Sequence, residues 1–85
     1  MPGFVHRSRL TILVDVLKTT MKSKKGKKKT GIMQDANLNS RQATKYLHLL
    51  LANGLLNPDS KERYRPTQKG LELVHTLEAL NLKLR

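Results

Sequence analysis

The apolar pattern predicts a mainly α fold with one small β-hairpin, an α+β class. Three observations predict it. Leucine, isoleucine, valine and methionine recur at helical spacing over 10–21, 39–54 and 67–84. Asn39 with Gln42, and Asn53 with Gly54, mark the start and the end of one helix. Pro58-Asp59-Ser60 is turn chemistry, and the segments flanking it are short and extended.

The chain opens on a lead-in segment, Phe4 to Arg9. A first helix is expected over Leu10 to Met21. Leu10, Leu13, Val14, Leu17 and Met21 follow the i, i+3, i+4, i+7, i+11 pattern of one buried face. Ile12 and Val16 form a second stripe, which a second element is expected to cover. Asp15 and Lys18 sit one turn apart and are expected to form a solvated pair. The run KSKKGKKK from Lys22 to Lys29 has no apolar periodicity and is broken by Gly26. It predicts a loop that grips phosphates non-specifically, the alternative being a solvated linker. Lys27, Lys28 and Lys29 can also extend briefly and pair with later strands.

Thr30 is expected to cap a short second helix with Ile32, Met33 and Ala36 on its apolar side. That helix should stop near Asn37, which tolerates the left-handed conformation of a tight turn. Leu38 should then plug the core. Asn39 and Gln42 form a capping box for the third helix, whose Ala43, Leu47, Leu50 and Leu51 face inward. Gly54 is expected to be left-handed, with Leu55 folding back on Leu50 as in a Schellman end. The opposite face carries Ser40, Arg41, Thr44, Lys45 and His48, side chains that reach phosphates and base edges. A short helix, a tight turn and a longer amphipathic helix make a helix-turn-helix candidate. The alternative is an ordinary helical hairpin.

The hairpin follows, with Lys61, Arg63 and Arg65 near its tip and outer strand. Such a basic hairpin beside a recognition helix is a wing that touches phosphates. Pro66 donates no hydrogen bond and suits a strand end. Thr67 should cap a last helix running to about Leu84, with Gly70 as a mild weakness in its first turn. Leu73, Leu77, Leu80 and Leu84 are spaced four, three and four, a heptad seam expected to make a homodimer. Leu71 and Val74 are expected to dock on the helix's own core.

Eighty-five residues form one domain, 1–85, with a core over 8–66 and a terminal helix over 67–85. Seventeen Lys and Arg oppose six Asp and Glu, a net charge of +11 that favours a polyanionic partner. There is no cysteine, hence no disulfide framework or thiolate metal site. No apolar run is long enough to span a bilayer, and no signal-peptide core follows Met1-Pro2-Gly3-Phe4. A cytoplasmic, nucleoid-associated protein is expected. Aromatics are scarce, which argues against a stacking platform for single strands.

The order of elements resembles the archaeal winged helix-turn-helix proteins, above all the small crenarchaeal chromatin-associated type that dimerises through its last helix. The resemblance is carried by Lys29-Thr30-Gly31-Ile32-Met33, Ala36-Asn37-Leu38, Lys45-Tyr46-Leu47, Leu50-Leu51, Asn53-Gly54-Leu55, Tyr64 and Thr67-Gln68-Lys69-Gly70-Leu71, and covers roughly residues 8–84. It implies a homodimer that binds double-stranded DNA as a transcriptional regulator or a chromosome-architectural protein. It carries the recognition role over to Ser40, Arg41, Thr44, Lys45 and His48, and the dimer role to the terminal leucines. The chain departs from the pattern at Pro66, where such proteins usually have an aliphatic residue, in a shorter terminal helix and in a more basic 22–29 run.

Catalysis is not expected. His6, His48 and His75 are far apart, and none has a carboxylate at a helical spacing that builds an acid–base or metal site. No cofactor, metal, small-molecule ligand or membrane partner is implied. Two alternatives are a winged-helix module for protein interaction and an RNA-binding protein, since fold does not fix function and basic charge does not distinguish duplexes.

Overall fold

The computed structural model describes residues 8–59 and 61–84, with 81–84 as helix backbone. Seven elements follow in order: α1 (Arg9–Met21), β1 (Lys27–Lys28), α2 (Lys29–Ala36), α3 (Ser40–Ala52), β2 (Leu56–Pro58), β3 (Arg63–Pro66) and α4 (Gln68–Leu84). The four helices and three antiparallel strands make the expected α+β fold. Phe4, His6, Ser60 and the side chain of Leu84 lie outside the described residues.

α1 starts where Ser8 Oγ accepts from Thr11 N at 3.1 Å. Its buried face is Ile12, Val16, Leu17, Thr19 and Thr20; of the stripe expected from Leu10 to Met21, Leu17 is buried and Leu13 packs partly on the core, while the two ends stay out. Leu10 is 52% exposed and Met21 43%. Two apolar stripes lie side by side on this helix, and the rest of the fold covers one side: α2, α3, α4 and β3 all pack against it. Ile12 and Val16 are therefore part of the core. Lys18 Nζ meets Glu78 Oε2 on α4 at 3.0 Å, an exposed ion pair from across the fold.

The basic run does not remain a loop to its end. Lys27 and Lys28 extend as β1 and pair with β3, placing Lys27 opposite Tyr64 and Lys28 opposite Arg63. The sheet order is β1-β3-β2. α2 begins one residue before Thr30, with Lys28 as an N-cap that makes no side-chain cap bond. Thr30 is thus inside the first turn, because pairing of β1 fixes where the helix can start. α2 ends on Asn37 at φ 55°. Asn37 N donates to Gln34 O at 3.4 Å and Leu38 N to Met33 O at 2.9 Å, a Schellman end with asparagine in the left-handed position. Leu38 is buried as expected.

α3 is capped reciprocally: Gln42 N donates to Asn39 Oδ1 at 2.8 Å, and Asn39 N to Gln42 Oε1 at 3.1 Å. It ends in a second Schellman pair, Gly54 N to Leu51 O at 3.1 Å and Leu55 N to Leu50 O at 2.9 Å. Gly54 has φ 70°, where a Cβ would be strained. Ala43, Tyr46, Leu47 and Leu50 enter the core, and Leu51 packs partly against it.

In the hairpin, Pro58 pairs with Tyr64 and belongs to β2 rather than to the turn. Lys61 lies in the turn, and the strand that starts at Arg63 is not the outer strand expected but the central one, because β1 pairs along its far side. Asp59 Oδ1 accepts from Lys61 N at 2.8 Å and from Arg63 N at 3.0 Å, holding the tip closed. Pro66 ends β3 opposite Leu56, at the strand end its missing N–H requires.

Thr67 caps α4 by accepting from Gly70 N at 3.0 Å, and its hydroxyl donates to Gly54 O at 2.6 Å. The helix start is thereby tied to the end of α3. Gly70 is no mere weakness: a Cβ there would run into the carbonyl oxygen of Leu55. Val74 docks in the core, but Leu71 is 37% exposed, and Leu73 packs partly on the core in its place. The α4 start crosses close to Leu55 and Leu17 at Gly70, which turns position 71 outward.

Candidate nucleic-acid interface

The outward side of α3 is free of packing. Ser40, Arg41, Lys45 and His48 are exposed and Thr44 is half-buried, all on the side opposite Ala43, Leu47 and Leu50. The capping box sets where this face begins, and the buried face sets its direction. Leu49 lies one turn beyond Lys45 on the same side and is 40% exposed. Within the run from Leu47 to Leu51 the sequence does not distinguish the outward leucine from the inward ones; only the phase set by Asn39 does. An apolar group there suits a thymine methyl. Lys45 Nζ stands 5.7 Å from the Tyr46 ring centroid, so its charge stays close to the helix surface.

The lysines of the 22–29 run divide. Lys24, Lys25 and Lys28 are exposed. Lys27 Nζ is bound to Asp35 Oδ2 at 2.7 Å, with both side chains about one-quarter exposed, which staples β1 to α2. That hydrogen bond, helped by the charges of Lys27 and Lys22, holds the Asp35 carboxyl below its ordinary pKa against the opposing effect of desolvation. Lys29 Nζ donates to Ser40 Oγ and Thr44 Oγ1, joining the start of α2 to the first turns of α3. Thr30 is exposed beside it.

On the hairpin, Lys61 is exposed in the turn. Arg63 and Arg65 alternate with Tyr64, which packs toward the core. Lys28 stands directly across from Arg63. Arg65 lines a depression with Thr20, Met21, Ser23, Lys24, Pro66 and Leu71. A second depression, between α2 and the hairpin, is lined by Lys28, Lys29, Thr30, Pro58, Asp59, Glu62 and Tyr64. Arg65 is thus brought beside Lys24, Lys28 to Thr30 beside the hairpin, and of these Lys29 reaches α3 through Ser40 and Thr44. The two depressions differ in sign: Asp59 and Glu62 make the second one mixed. Asp59 was not singled out by the sequence as more than a turn residue; backbone N–H groups of Arg63 and then Lys61 hold its carboxyl below the ordinary value.

Helix, short strand, helix, recognition helix, hairpin and terminal helix is a familiar ordering, and a family model described as winged helix-turn-helix matches residues 6–84. The chain belongs to the winged helix-turn-helix family. Among solved structures this winged helix-turn-helix chain is similar to Sso10a-2, a DNA-binding protein from Sulfolobus solfataricus, at 30% identity and a TM-score of 0.70 over 93% of this chain and 82% of that one. The resemblance to archaeal winged helix-turn-helix proteins is borne out by that match. An O-methyltransferase of neocarzinostatin biosynthesis, NcsB1, solved with S-adenosyl-L-homocysteine, is 21% identical with a TM-score of 0.60 over 73% of this chain and 20% of that one, a likeness of fold alone. A search of the curated proteins finds no match. Among the described residues no winged-helix element is long and apolar enough to cross a membrane.

Proposed function

We propose that the protein binds double-stranded DNA, with α3 in the major groove and the basic hairpin and β1 against the flanking backbone. The outward face of α3 carries this reading. Ser40, Arg41, Lys45, His48 and Leu49 are exposed, and Thr44 beside them is half-buried under Lys29, on a helix whose other face enters the core. Such a row of donors with one apolar group fits base edges and phosphates. The net charge of +11 supports the same partner. So does the cross-strand pair of Lys28 and Arg63, a like-charge juxtaposition that a phosphate relieves. The DNA-binding description of the similar Sulfolobus protein agrees.

The role is that of a transcriptional regulator or a chromosome-architectural protein in the cytoplasm, associated with the nucleoid; it is a reader, not an enzyme. Residues 8–66 are its winged unit and 67–85 its dimerisation helix. Lys24, Lys25, Lys28, Lys61, Arg63 and Arg65 serve phosphates, whereas Lys27 is largely committed to Asp35. Two copies join through α4, a reading supported by Leu77, half-buried in one chain, and by Leu80, 51% exposed. The test is affinity for random and selected duplexes, with duplex RNA in parallel, across a salt series. A specificity ratio in the thousands makes the protein a regulator, and a flat ratio makes it architectural. Equal retention on RNA, or no retention on either, removes the double-stranded DNA reading.

A further inference from the structure

Lys29 opens α2, yet its ammonium is placed by two hydroxyls of the next helix. Nζ lies 3.0 Å from Ser40 Oγ and 2.7 Å from Thr44 Oγ1. Ser40 and Thr44 are one turn apart on the outward side of α3. The polarity of these bonds is not open to choice. An ammonium has three N–H groups and no lone pair, so both hydroxyl oxygens accept. Each hydroxyl keeps its own hydrogen, which needs an acceptor elsewhere. Among the described residues neither hydroxyl donates to a backbone carbonyl. The contrast is Thr20 in α1, whose hydroxyl turns back onto Leu17 O at 2.7 Å. Thr20 is buried and satisfied internally, whereas Ser40 is exposed and Thr44 half-buried, so their hydrogens are open to solvent or to a bound group.

We propose that Lys29 is a positioning residue that occupies one lone pair of each hydroxyl and orients Ser40 and Thr44 as donors, so that this end of the recognition helix favours acceptor groups of DNA. The inference rests on the DNA-binding reading and adds polarity to it. A phosphate oxygen, guanine O6 or N7, or thymine O4 fits the pair. The amino group of cytosine or adenine in the same place must share the hydroxyl oxygens with the Lys29 ammonium and lie beside its charge, which disfavours it. The acceptor has two sources, backbone or base edge, and the two leave different signatures.

The experiment measures duplex affinity and its salt dependence for the parent, Lys29→Met, Lys29→Arg, Thr44→Val and the double variant Lys29→Met with Thr44→Val, with circular dichroism on each. A parent that fails to bind duplex DNA removes the DNA-binding reading, and this inference falls with it. With a binding parent, Lys29→Met and Thr44→Val are each expected to weaken binding by about fivefold or more, as the loss of a positioned hydrogen bond does. The double variant should be no more than about twofold weaker than the poorer single, because coupled residues act as one unit. Lys29→Arg keeps the donors and should restore most of the affinity. Losses that multiply overturn the inference, as does a Lys29→Met variant that binds like the parent. Thr44→Val neutral, with Lys29→Met only making the slope of log K against log salt shallower by about 0.9, also overturns it, since Lys29 is then a lone phosphate contact. If Lys29→Met loses helix content, Thr44→Val decides by itself: parent-like binding rejects the proposal. A Thr44→Val loss that is uniform across duplexes assigns the acceptor to phosphate, and one confined to changes at a single base pair assigns it to a base edge.

Discussion

Replacing Gly70 by alanine adds one methyl group, and two effects of opposite sign compete. In an exposed helix the change removes backbone freedom from the unfolded chain and stabilises by up to about 1 kcal/mol. Here the new Cβ meets the carbonyl oxygen of Leu55 and comes within van der Waals range of Leu17. A backbone oxygen cannot rotate away, so steric cost wins, and Gly70→Ala should destabilise by about 1–3 kcal/mol in urea unfolding. A stabilised variant would show that α4 does not cross this close to Leu55. On the exposed side of α3 the opposite separation is expected. Arg41→Ala combined with Lys45→Ala removes two charges from residues with no packing role. The melting curve should be unchanged and duplex binding weakened at least tenfold, an order set by two charged contacts. Parent-like affinity in that double variant would assign the reading role to another element.

The wing turn is an element held by one carboxylate. Asp59 accepts from two backbone N–H groups, and this depresses its pKa. A depressed pKa in the folded state means stabilisation that is complete above the ordinary unfolded value and lost as pH falls through the folded one. Asp35 has the same sign through Lys27. The amide resonances of Lys61 and Arg63 should therefore shift together on acidification, with a midpoint below about 3.9, the unperturbed aspartate value. A midpoint at or above that value would mean that the carboxylate does not close the turn. The element scale is also where the sequence was most legible. Helix ends are decided within a few residues, so Asn39, Gln42, Asn37 and Gly54 announce themselves. The inward face of α1 does not, because its apolar arc is wide: Ile12, Val16 and Leu17 are all buried while Leu10 and Met21 stay out, and only the packing of other elements sets where the arc is covered. The site was legible in the same measure. The phase of α3 follows from its cap, which places Arg41 and Lys45 outside. The pairing of Lys27 with Asp35 and of Lys29 with Ser40 and Thr44 depends on where β1 ends and α2 begins, and a run of near-identical lysines carries no mark of it.

At the scale of the molecule, α4 serves two surfaces. Val74 and Leu73 bind it to its own chain, Glu78 ties it to Lys18, Leu77 beside that contact is half-buried and Leu80 beyond it is exposed. If the latter two meet a second copy, Leu77→Glu should convert a dimer into a helical monomer by sedimentation and circular dichroism. A parent that sediments as a monomer at tens of micromolar sinks the idea, and a variant that unfolds assigns Leu77 to its own core. The small sheet adds a restraint on association of a different kind. Its outer strands are β1, two lysines long, and β2, which ends in Pro58 with no N–H to offer. Short, charged and proline-bearing edges discourage the addition of further strands. If many copies bind along one polyanion, as proposed, such edges keep their sheets from zippering into fibrils even when the copies are crowded.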